Sequence, residues 1–128
     1  MIVLDASVMI AHLDASDAHH DRASALLLAT ASEPFVASPL SLAEVLVGPV
    51  RVGRLADAIA ALDELEVRSV NLDDDAPSRL ATLRSETGLR LPDCCVLLAG
   101  EQVGAAVATF DERLGSAASR RGLSVRDR

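Results

Sequence analysis

Asp5, Glu44, Asp93 and Asp111 each stand alone in, or at the edge of, a stretch with almost no other charge. In MIVLDASVMIAHL, Asp5 is the only formal charge, and in PFVASPLSLAEVLVGPV it is Glu44. Asp93 is alone in LPDCCVLLAG, and Asp111 closes the apolar run VGAAVATF. Stretches this apolar fold inward, and an ionised carboxylate taken out of water is unfavourable unless it is paired or bound to a metal. The chain has no lysine, and its twelve basic residues are all arginine. Four isolated acids therefore point to one shared cationic partner, most simply a divalent metal. Oxygen-only ligands suit Mg²⁺, with Mn²⁺ as a substitute, rather than zinc. Crowded carboxylates repel one another, and such an ion would keep them charged. Ser7 follows Asp5 by two residues and Thr109 precedes Asp111 by two. Either hydroxyl is placed to orient a carboxylate or to cap a helix locally.

Positioning these acids falls to short apolar strands that alternate with helices. The pattern predicts strands at 2–5, 35–37, 67–72, 106–109 and 123–125. Between them it predicts helical segments at 7–13, 18–31, 39–47, 52–65, 76–86, 92–103 and 112–121. Asp17 is read as the cap of the second helix, with Ala23, Leu26, Leu27 and Ala31 on its inner face. Ser38-Pro39 reads as a cap and first helical residue, with Gly48-Pro49 ending that helix. Leu55, Ile59 and Leu62 form the apolar stripe of the next one, Asp73-Asp74-Asp75 caps the helix after it, and Gly88 closes that helix. Alternation of this kind implies an α/β fold of three layers, a short, mostly parallel sheet of about five strands with helices on both faces. A length of 128 residues suits a single domain, 1–128. In open sheets of this class ligands sit beyond the carboxyl ends of the strands, where the strand order reverses. Asp5 and Asp111 fall at strand ends, Glu44 on the helix after the second strand, and Asp93 near a helix start, so one crevice can collect all four.

Composition narrows the classes further. A net charge of −7 argues against gripping nucleic acid by bulk electrostatics, and two Phe with no Trp or Tyr argue against aromatic stacking platforms. No charge-free run reaches the roughly 18 residues a membrane span needs, and no basic lead precedes the first apolar segment, so the expected location is the cytoplasm. Cys94 and Cys95 are adjacent, a poor zinc spacing, and read as small buried hydrophobes. His12, His19 and His20 show no metal-ligand spacing, and the latter two read as solvated. Arg113, Arg120, Arg121, Arg126 and Arg128 crowd the C-terminal end, either as a solvated face or as a rim for phosphate oxygens.

Each acid also has a local reading. Asp5 suits a strand-end turn, Asp93 the positive end of a helix dipole, and Asp111 a helix cap. Glu44, surrounded by Leu42, Ala43, Val45 and Leu46, cannot be a cap, which leaves a buried ion pair as its structural role.

Taken in order, LDAS at 4–7, SLAEVL at 41–46, LPDCCVLLA at 91–99 and ATFDERL at 108–114 resemble the four acidic motifs of PIN-domain ribonucleases. The likeness is greatest to VapC-type toxins of type II toxin–antitoxin pairs. It implies that Asp5, Glu44, Asp93 and Asp111 are catalytic and hold Mg²⁺, with Ser7 and Thr109 supporting them. It also implies hydrolysis of RNA phosphodiester bonds, in tRNA, rRNA or mRNA, by in-line attack of activated water. A homodimer and a small VapB-like antitoxin, whose peptide fills the acidic cleft, are the partners it implies. A housekeeping RNA-processing nuclease and a non-catalytic PIN-fold binding module are the alternatives. Two rivals from other classes fail on the residues: a phosphoacceptor receiver needs a late lysine, and a haloacid-dehalogenase-type phosphatase needs an acid where Ser7 stands.

Overall fold

The computed structural model describes residues 1–127. Its elements, in chain order, are β1 (Ile2–Leu4), α1 (Ala6–Leu13), α2 (His20–Ala29), β2 (Phe35–Ala37), α3 (Pro39–Arg51), α4 (Leu55–Glu64), β3 (Arg68–Ser69), α5 (Ala76–Thr87), α6 (Leu91–Val103), β4 (Ala106–Ala108), α7 (Glu112–Arg120) and β5 (Val125–Arg126). The strands form one sheet in the order β3-β2-β1-β4-β5, and every pairing is parallel. The chain builds outward from β1 through β2 to β3, then returns across β1 to add β4 and β5 on its other side. Strand order thus reverses between β1 and β4.

Both faces of the sheet are covered, as an all-parallel sheet requires. Val3, Val36 and Val107 point to the face closed by α5, α6 and α7, whereas Ile2, Leu4, Phe35, Ala37 and Ala108 point to the face closed by α1, α2, α3 and α4. The period-two alternation of the short strands decides that partition. Helix α6 is buried on every side from Asp93 to Gly100. Small residues make this possible: a Cβ on Gly100 would lie 3.2 Å from both Val107 Cγ2 and Leu123 Cδ1. Cys94 and Cys95 are buried within it, in keeping with their reading as hydrophobes. No helix among the described residues is long and apolar enough to cross a membrane.

Several element boundaries depart from the sequence pattern. Gly48-Pro49 does not end α3, which runs on to Arg51 with Pro49 inside its last turn. Proline there removes one intrahelical hydrogen bond, a loss outweighed by the packing of α3 against α4 and α6. Asp17 does not cap α2; its carboxylate accepts from the His19 backbone N–H, and the helix starts later, at His20. It also ends before Ala31, with Thr30 at the C-cap, where its N–H and hydroxyl both donate to the Leu26 carbonyl. In α4 the expected stripe is only partly inward: Leu62 is buried, but Leu55 and Ile59 face outward. The 67–72 run pairs only over Arg68–Ser69, as an edge strand with β2 as its single neighbour. The last strand is likewise shifted, to Val125–Arg126. Asp75 holds the cap position of α5, yet its side chain makes no capping hydrogen bond. Gly88 closes that helix as expected, at φ 71°, a conformation that favours glycine. His20 is not solvated: its Nδ1 lies 2.9 Å from the Ala11 carbonyl and its ring stacks near His12.

Candidate active site

The Asp5 carboxylate is built into the switch point between β1 and β4. Backbone continuity across these strands is direct, since the Asp5 N–H donates to the Ala108 carbonyl at 2.9 Å. Asp5 occupies the cap position of α1 but makes no capping hydrogen bond with its side chain. Instead, Oδ2 accepts from the Ser7 hydroxyl at 2.7 Å and from the Thr109 hydroxyl at 2.8 Å. Both donors are themselves fixed. Ser7 Oγ accepts from the Phe110 N–H at 3.2 Å, and Thr109 Oγ1 accepts from the Asp111 N–H at 3.0 Å. Oδ1 takes no hydrogen bond, so a buried carboxylate is gripped by one oxygen and leaves the other for a ligand.

Ser38 brings α3 to the same end of the sheet. Its buried side chain accepts from the Ser41 N–H at 3.1 Å, and Pro39 supplies the fixed φ of the first turn. Glu44, one turn farther, is half-buried and makes neither hydrogen bond nor ion pair. The ion-pair reading of Glu44 therefore fails. Its pKa is raised, first by burial and then by the charge of Asp5, with Asp93 adding and Arg90 opposing. Asp93, buried in the first turn of α6, is also raised, first by burial and then by Asp5; Asp111 adds to the shift while Arg90 and Arg113 oppose it. Three separated segments thus bring Asp5, Glu44 and Asp93 within mutual electrostatic reach. Asp111 lies at the border: its Oδ1 caps α7 through the Arg113 and Leu114 N–H groups at 2.8 and 3.1 Å, as its local reading has it.

The electrostatics are those of an anionic pocket with partial relief. Asp5, Asp93 and Asp111 each stand at a helix N-terminus, whose positive end favours a nearby negative charge. Arg90 is the nearest full cation, its Nε 3.8 Å from Asp93 Oδ2, with its side chain largely in solvent. As they stand, no three carboxylate, histidine or cysteine side chains among the described residues form a ready-made ion cage. The donor set nevertheless fits a hard divalent cation: oxygen atoms only, a free Asp5 Oδ1, an unpaired Glu44, and repulsion that such an ion would relieve. Arg90 escaped the sequence reading, which named Arg113 only as part of a solvated face or a phosphate rim. The spacing of Arg90 to Asp93, three residues across a helix start, was the available signal. Of the C-terminal arginines, Arg121 is engaged by Glu86 and Glu101, Arg113 alone acts on the acids, and Arg128 lies outside the described residues.

With the geometry in view, comparison with known proteins is informative. The family profile described as PIN domain matches residues 2–119. Among solved structures, the chain is similar to VapC20 of Mycobacterium tuberculosis, described as a sarcin-ricin loop cleaving toxin, at 24% identity and TM-score 0.73 over 91% of this chain and 95% of that one. It is similar to a toxin–antitoxin complex from Klebsiella pneumoniae at 21% identity and TM-score 0.72, over 91% of each chain. VapBC2 of Rickettsia felis, bound to a promoter DNA fragment, matches at 16% identity and TM-score 0.71 over 98% of each. A comparison with curated proteins finds no match. At these identities the structural likeness is one of fold.

Proposed function

The chain belongs to the PIN-domain family, and from that premise we propose that it is a Mg²⁺-dependent endoribonuclease acting as the toxin of a VapBC-type pair. The observation that carries the reading is Asp5: a buried carboxylate clamped on one oxygen by two hydroxyls, facing two further acids whose proton affinity its charge raises. Asp5, Glu44 and Asp93 would hold the cation, with Asp111 at its border. When bound, Mg²⁺ or Mn²⁺ supplies Lewis acidity toward the phosphodiester. The protein's own residues do the rest. Ser7 and Thr109 fix the direction in which Asp5 Oδ1 points. Glu44, unpaired on α3, faces Asp5 and Asp93 as the third carboxylate of that set. Arg90, exposed beside Asp93, is placed to meet a phosphate oxygen.

The toxin reading draws support from the neighbours described as toxins or toxin–antitoxin complexes. It is also supported by a cleft of about 580 Å³ among α1, α3 and α4, whose apolar walls, Ile10, Leu13, Val45 and Val52, lead up to Glu44. An antitoxin segment lying there would end at the acids, where an arginine could substitute for the metal's charge. The exposed Val47, Val50, Val52 and Ile59 leave apolar surface for such a partner or for a homodimer. The expected substrate is cellular RNA, whether tRNA, rRNA or mRNA, and the expected compartment is the cytoplasm.

The test is direct. Purified protein should cleave RNA with Mg²⁺ or Mn²⁺, and Asp5→Asn should lose at least about 100-fold of that rate while keeping its fold. Induction should arrest growth, Asp5→Asn should not, and co-expression of a short neighbouring reading frame should relieve the arrest. Cleavage undiminished by EDTA would overturn the mechanism.

A further inference from the structure

Phe110 stands between Thr109 and Asp111, and its N–H is tied to the Ser7 hydroxyl that holds Asp5. Phe35 is buried in the core, so Phe110 is the one phenyl ring with an exposed part. It is not isolated. The guanidinium carbon of Arg22, on α2, lies 4.2 Å from the ring centroid, and the His19 ring is tilted against it with centroids 5.6 Å apart. Arg22 is held from a second side as well, its Nε donating to the Asp127 backbone carbonyl at 2.9 Å. An exposed guanidinium is thus fixed between a carbonyl and a ring whose next residue is Asp111.

A cleft of about 430 Å³ opens here, whose lining includes Arg22 and Phe110, the acids Asp111, Glu112 and Asp127, and Ser116 and Ser119 of α7. That volume lies within the range that accommodates small-molecule-sized groups. A guanidinium plane accepts the flat face of a nucleobase, and an aromatic ring behind it adds cation–π support. Hydroxyls on the opposite wall can meet a base edge. Such a contact also answers a problem set by net charge. A chain at −7 is poorly suited to grip RNA by phosphate neutralisation alone, and base stacking adds binding energy that does not depend on net charge.

We propose that Arg22, backed by Phe110 and His19, is a stacking platform for one nucleobase of single-stranded RNA beside the scissile phosphodiester. The proposal rests on the nuclease reading above and adds a substrate contact to that same site.

The experiment first maps a single-stranded oligoribonucleotide that the wild type cleaves. That sequence is then synthesised with 2-aminopurine at each position in turn and bound to Asp5→Asn protein, which holds it uncut. One position flanking the cleaved bond should show stacking-induced quenching. Added to that background, Arg22→Lys should weaken binding nearly as much as Arg22→Ala, by roughly 5-fold to 100-fold, and should abolish the quenching. Because lysine keeps the charge, its salt dependence should stay that of the parent. Phe110→Leu, which preserves the packing volume, should weaken binding in the same direction by a smaller factor. If Arg22→Lys binds and quenches like the parent, the proposal is overturned and Arg22 is at most a charge contact. A wild type that cleaves RNA while these variants are indistinguishable from the parent overturns the proposal alone. A wild type that cleaves no RNA overturns the nuclease reading and this platform together.

Discussion

Asp5 and Asp93 divide the work of the site unequally. Asp5 is held by two hydroxyls, whereas Asp93 is buried beside like charges with only the exposed Arg90 and Arg113 in reach. Removing the Thr109 hydroxyl leaves Asp5 one donor short and freer to turn. Thr109→Val should therefore lower the metal-supported cleavage rate or the metal affinity by about 10- to 100-fold, measured by steady-state kinetics and by calorimetric Mn²⁺ titration. Asp93 gives a pH signature. An acid that binds its proton more tightly in the folded chain lowers stability wherever it is ionised there. That penalty is relieved as pH falls through the raised value and vanishes below the ordinary carboxylate range, where both states are protonated. Asp93→Asn should thus melt above the wild type at neutral pH in EDTA, and the gap should close on acidification. Saturating Mg²⁺ should reverse the order, because the ion stabilises the form that binds it. A gap that widens on acidification would contradict the raised proton affinity. At this scale the isolation of Asp5, Glu44 and Asp93 in apolar sequence was informative because burial is what isolates them. The direction of the Asp5 side chain was not legible, since Thr109 reaches it only after a loop of 104 residues has closed.

Helix starts and stops set where the acids stand. Ser38 is the clearest case, a fully buried cap whose oxygen serves the Ser41 N–H. Ser38→Ala should cost about 1–2 kcal/mol in urea unfolding with an unchanged slope. Gly48 is the opposite case: it sits inside α3, and a Cβ there would meet nothing within 4 Å. Gly48→Ala should stabilise the protein by about 0.5–1 kcal/mol in the same assay, through helix propensity. The contrast also shows what the sequence could convey. Ser38-Pro39 was legible because capping is a local event. Gly48-Pro49 misled because packing of α3 against α4 and α6 outweighs a local breaker near a helix end. The short pairings of β3 and β5 were likewise invisible, since strand length depends on a neighbour far away in the chain.

Across the whole molecule, the arrangement divides the surface into an acidic end and an apolar flank. Alternating strands and helices made the parallel three-layer sheet foreseeable, because the periods differ and a parallel crossover needs a helix. What the flank binds is a question of surface chemistry. Val50 is 57% exposed and Ile59 43% exposed, on neighbouring helices. If this flank makes the homodimer, Val50→Asp with Ile59→Asp should halve the mass seen by light scattering, with the far-ultraviolet spectrum unchanged. If it takes the antitoxin, the same pair should abolish co-purification of the two proteins.

The hydroxyl of residue 109, just past β4, grips the carboxylate of residue 5, and β4 is laid beside β1 only after β2 and β3 have been made. A polypeptide emerging from the ribosome therefore leaves Asp5 one hydroxyl donor short until nearly all of it has been synthesised.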